Sequence, residues 1–168
     1  MHPELWSGLA RACDADKQRL HGRMSLTAAL KDEPKRNALI DDCVQLVDAE
    51  VQKKSGLGGM VIKTGYKAVR GIKPGFIRKV VDKLFDEWAA KLDPIWQEGV
   101  AEGGSASEQF ISKRSRVAEA LLEVTDDKAA NAKSGVVAST YKKLRPSAKK
   151  HVEEAVPGLA GLLTKHAG

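Results

Sequence analysis

Residues 74–92, P-G-F-I-R-K-V-V-D-K-L-F-D-E-W-A-A-K-L, decide the fold. Ile77, Val81, Leu84, Trp88 and Leu92 recur at steps of three and four, and Val80, Phe85 and Ala89 widen the same side. That is the period of a helix with one buried face. Pro74 suits its start, because a proline in the first turn gives up no intrahelical hydrogen bond. The stretch therefore predicts the central core helix.

Immediately upstream, residues 51–81 carry eight Lys/Arg and no acid. Lys63, Lys67 and Arg70 fall on one side of a helix, while Val61, Ile62, Gly65, Ala68, Val69 and Ile72 gather on the other. The expected helix is basic outside and small or aliphatic inside. It opens in the glycine-rich S-G-L-G-G and closes at K-P-G. Gly65, among packing residues, predicts the close approach of a neighbouring element, since glycine in a helix otherwise costs about 1 kcal/mol against alanine.

Further upstream, S-L-T-A-A-L-K-D reads as a short helix. Asp32, Glu33 and Pro34 start a longer one running to about Lys54, with Ile40, Val44, Val47 and Val51 beside Leu39, Cys43 and Leu46. Residues 1–23 read as a loosely attached extension, docked by Trp6 if at all. The domain proper is expected over 24–168.

Downstream, Pro94 is expected to begin a brief separate helix with Ile95, Trp96 and Val100. A loop A-E-G-G-S-A-S follows, with Ser105 or Ser107 as a cap. A helix over about 108–123 aligns Phe110, Val117, Leu121 and Val124, and Thr125 is expected to cap a short turn. Ser134 caps a helix broken at Pro146, and a last helix carries Val152, Ala155, Leu159 and Leu162 with a kink at Pro157. No alternating strand pattern and no long-period repeat occurs, so the expected fold is an all-α, single-domain irregular bundle of six or seven helices.

With 168 residues, 42% hydrophobic and 30% charged, the chain is long enough for a core without disulfides or metal. Cys43 falls on an apolar stripe and reads as a buried free thiol. Cys13 and Cys43 match no metal-ligand spacing, and a cytoplasmic protein is expected. The net charge of +6 is uneven: residues 128–152 add seven Lys/Arg, again without an acid, and the rest of the chain holds all 22 acids. Two basic blocks in an acidic background predict a field that attracts anions.

The candidate anion- or partner-binding residues are Lys54, Lys63, Lys67, Arg70 and Lys73 from the first block, and Lys142, Lys143, Arg145, Lys149 and Lys150 from the second. A nucleic acid would be held mainly through phosphates, since no recognition-helix or RNA-binding signature is present. An acidic protein ranks equally with a nucleic acid backbone. Anionic membrane lipid ranks below both, because it needs an apolar face exposed beneath the lysines. The alternative is a helical interaction or oligomerisation module with no nucleic acid role.

The S-G-L-G-G run lacks the pattern of a phosphate loop and reads as a turn. His151 beside Glu153 and Glu154 has no nucleophile or oxyanion motif near it. No catalytic residue, metal site or cofactor is assigned, and the chain reads as a binding protein and not an enzyme.

The runs K-S-G-L-G-G and K-P-G-F-I, with L-L-E-V-T-D-D-K-A, Y-K-K-L-R-P-S-A-K-K-H-V-E-E-A-V-P and L-L-T-K-H-A, resemble a bacterial family of uncharacterised all-helical proteins. The resemblance covers about residues 24–167. It implies a small cytoplasmic protein and brings no site residues with it.

Overall fold

The computed structural model describes residues 25–103 and 105–167; the expected N-terminal extension, with Trp6 and Cys13, lies outside the described residues. Seven helices and no strand occur among them: α1 Leu26–Ala29, α2 Glu33–Lys53, α3 Gly56–Arg70, α4 Phe76–Ala101, α5 Ala106–Ser112, α6 Arg114–Ala130 and α7 Gly135–Ala167. The all-α expectation holds.

Local chemistry sets several of the starts. Asp32 accepts from the Lys35 amide to cap α2, and Ser105 accepts from the Glu108 amide to cap α5. α1 is too short to stand alone and is held from outside. Asp93 of α4 accepts from the Leu26 amide at 2.8 Å, from Ser25 Oγ at 2.7 Å and from Thr27 Oγ1 at 3.0 Å. Between α2 and α3 the chain turns at Gly56, whose φ of 70° is a left-handed value that side chains disfavour.

Four boundaries differ from the sequence expectation. α4 continues through Pro94 and α7 through Pro146, where breaks are expected; Pro157, the expected kink, also lies inside α7. All three prolines lie on the solvent side of their helices, so the carbonyl each leaves without an amide partner stays near water. Beyond Pro94 the buried stripe continues through Ile95, Trp96 and Gly99, and this packing outweighs the local break. Conversely, the helix expected over 108–123 is two helices, split at Lys113. Thr125 does not cap a new turn. It sits inside α6, with its hydroxyl donating to the Leu121 carbonyl at 2.8 Å.

α2 packs on α4, α4 on α6, α6 on α7 and α7 back on α2, so the four long helices form a ring. α5 packs against α4, α6 and α7, closing one side; α1 lies on α4 and α7. Leu26, Leu39, Ile40, Phe110, Val117 and Val156 are fully enclosed. Trp96 meets Phe110 edge to face at a centroid distance of 5.5 Å. Arg36 pins α2 to α4 through Asp82 at 2.6 Å and lies over the Phe85 ring.

Candidate functional site

α3 lies across the outside of the ring, against α7, α2 and α4. Its packed side consists of Gly59, its one buried residue, with Ile62, Gly65, Tyr66 and Val69 half-buried. Gly65 provides the expected close approach: a Cβ there would stand 2.9 Å from Thr140 Cγ2 and 3.2 Å from Leu144 Cδ1 of α7. On the other flank, Tyr66 donates to Asp48 of α2 at 2.6 Å, and Arg70 lies 3.4 Å from the same carboxylate. Burial and this hydrogen bond push the Tyr66 phenol well above its ordinary range. α7 and α2 therefore take opposite edges of α3.

The remaining surface of α3 corrects the two-sided picture. Val61 and Ala68, expected inside, are exposed. Leu57 is 85% exposed, Met60 65% and Val61 52%. At about 100° per residue, Leu57, Met60, Val61 and Ala68 form an apolar strip along the outer side of the helix. Lys63 and Lys67, exposed and without an ion-pair partner among the described residues, run beside it on the flank nearer α2. The helix is three-sided: packed, basic and openly apolar.

α7 supplies the opposite rim. Lys54, just before α3, pairs with Glu154, while Gly65 meets Thr140, so α3 is antiparallel to this part of α7. Thr140 and Leu144 face α3; Arg145 and Lys149 face α6, where they bind Asp126 and Glu119. Lys143 and Lys150, seven residues apart, fall on the outer edge of α7 next to α3, with exposed Val136 in line with them. An aliphatic centre is thus bracketed by Lys63 and Lys67 on one side and Lys143 and Lys150 on the other.

The other candidate cations fare differently. Lys54 is held between Glu154 and Glu50, with only 12% of its side chain exposed. Arg145 binds Asp126 through two nitrogens, at 2.6 and 2.9 Å, and Lys149 lies 2.6 Å from Glu119. Arg145 holds the Asp126 carboxyl below the usual carboxylate range, and Lys54 does the same for Glu154. Lys73 stands 6.0 Å from the Phe76 ring centre, and Lys142 is exposed on the far side of α7. Acids missing from the basic blocks in sequence are returned by packing, from helices far along the chain. Six of the ten, Lys63, Lys67, Lys73, Lys142, Lys143 and Lys150, keep their charge unpaired among the described residues.

Beneath α3 the ring is not filled. A cavity of about 350 Å³ lies between α2, α4, α6 and α7, with Ile62 of α3 over it. A second void of about 50 Å³ shares Cys43, Trp88, Leu121 and Leu159 with it. Burial pushes the Cys43 thiol up to about 12, so it is a wall group and not a nucleophile. A sealed empty void of the larger size would forfeit about 8 kcal/mol at roughly 24 cal/mol per Å³, on the scale of a whole domain's stability. The cavity is not sealed: its lining reaches the surface at Val47 and Ser147.

Among the described residues no cluster of three or more His, Cys, Asp or Glu side chains is placed to hold a metal ion, and no helix is long and apolar enough to cross a membrane. No curated protein and no solved structure gives a significant match. A model of a family of unknown function matches residues 26–167, which begins with α1 and ends on the last residue of α7. The chain therefore belongs to that family, DUF6918.

Proposed function

We propose that the chain is a non-catalytic binding protein that docks the outer side of α3 on an anionic membrane surface. The broader reading, a basic helical face that engages an anionic partner, rests on the unpaired lysines alone and would also serve a nucleic acid backbone or an acidic protein. One observation favours the bilayer. Leu57, Met60 and Val61 stand open to solvent between two cationic rows, where phosphate recognition has no use for them. An interfacial helix needs both parts: aliphatic groups to enter the acyl boundary and lysines to meet the headgroups.

The same reading places the protein in a bacterial cytoplasm, with its working surface against the inner leaflet. Flotation with vesicles of phosphatidylcholine alone, or with phosphatidylglycerol added, tests it. Binding is expected only with the anionic lipid, and should weaken as salt rises. Equal binding to both vesicles, or to neither, would remove the proposal. A stable dimer that hides α3 would favour the oligomerisation module instead.

A further inference from the structure

We infer that the cavity inside the helix ring is a binding site for a single aliphatic chain bearing a neutral polar head. The inference does not depend on membrane docking. The wall is hydrocarbon, supplied by Leu46, Val47, Leu121, Leu122, Leu144 and Val152. Away from the end that holds His151, the polar groups of the lining are already satisfied by the fold. Trp88 Nε1 and Thr125 Oγ1 both donate to the Leu121 carbonyl, at 3.1 and 2.8 Å, and Ser147 Oγ donates to the Leu144 carbonyl at 3.2 Å. Nothing along the length of the cavity calls for a polar ligand atom.

Charge gathers at one end only, where Glu50, Lys54 and His151 join the lining. Lys54 is already shared by Glu50 and Glu154, so a ligand carboxylate there would face two acids with no free cation. A hydroxyl head suits the position better. His151 Nδ1 is buried at this end, 3.5 Å from the Glu154 carboxylate and otherwise unpartnered, and a hydroxyl head, which both donates and accepts, matches either tautomer of the ring. At roughly 30 Å³ for each methylene-sized unit, the liquid volume of a water molecule, the 350 Å³ space holds a chain of about a dozen carbons. Its size lies within the range of ordinary small-molecule sites.

The test is calorimetric titration of the full chain with straight-chain 1-alkanols of six to fourteen carbons, and with alkanoates of the same lengths. Affinity for the alcohols should rise about fourfold per methylene and level off near twelve carbons, with each alkanoate weaker than its alcohol. Ala155→Phe, which fills part of the cavity from α7, should shorten the best chain by several carbons while raising the melting temperature. No saturable binding by either series would overturn the site. So would an unchanged length optimum in a folded Ala155→Phe protein, and alkanoates binding more tightly than alcohols would overturn the neutral head.

Discussion

Replacing Leu57, Met60 and Val61 together by serine separates a bilayer from a nucleic acid as the partner of α3. Full burial of such a side chain contributes about 1.5–3 kcal/mol, and these three are 85, 65 and 52% exposed. Scaled by that exposure, they offer about 4 kcal/mol on entering the acyl boundary, or about a thousandfold in partitioning. The lysines remain, so phosphate contacts are untouched. Stability should change little, because the side chains are mostly open to solvent and serine costs only tenths of a kcal/mol in a helix. The assay is vesicle partitioning beside binding to mixed-sequence DNA, with melting temperature as the control. A drop of less than tenfold on vesicles, with the fold intact, would refute the reasoning.

Three further outcomes follow from the same structure. Lys63→Glu with Lys67→Glu removes and reverses about 1 kcal/mol of headgroup attraction at each position, so vesicle partitioning at low salt should fall by more than a hundredfold, with helicity by circular dichroism unchanged. Adjacent glycines should respond with opposite signs in chemical denaturation. Gly58→Ala has open space around it and should stabilise by up to about 1 kcal/mol. Gly59→Ala would place a Cβ 2.7 Å from the Lys54 carbonyl carbon and should destabilise by about 1–3 kcal/mol.

Acid should loosen the α6–α7 contact. The Asp126 carboxyl is lowered by Arg145, so its contribution is present above the unfolded carboxylate value of about 4 and is lost as pH falls through the folded value below it. The melting temperatures of the wild type and Asp126→Asn should therefore differ at pH 7 and converge below about pH 4.

Helix placement was largely readable, because caps and stripes are local. Asp32 with Pro34 and the run from Ile77 to Leu92 need only their own neighbours to make sense. Pro94 and Pro146 misled because a proline's effect depends on which side of a helix faces water, and that is fixed only when α4 and α7 pack. The close approach at Gly65 was readable as an apolar position without a side chain.

The site was less legible. Ion pairs such as Lys54 with Glu154 join residues about a hundred positions apart, so a segment free of acids in sequence is not a surface free of them. Val61 and Ala68 looked inward because aliphatic residues outnumbered the space α7, α2 and α4 leave against α3. Their exposure moves anionic lipid from last place among the candidate partners to first. The cavity had no sequence signal at all, since it is a mismatch between side-chain volume and the gap between four helices.

Depth of a label at position 57 is the decisive observation. In a Cys13→Ser, Cys43→Ala background a nitroxide can be placed through Leu57→Cys or, as a reference away from α3, through Lys35→Cys. On phosphatidylglycerol vesicles the label at 57 should become accessible to oxygen and shielded from a water-soluble relaxant, while the label at 35 stays in water. Both labels remaining in water on vesicles that bind the protein would contradict docking through α3.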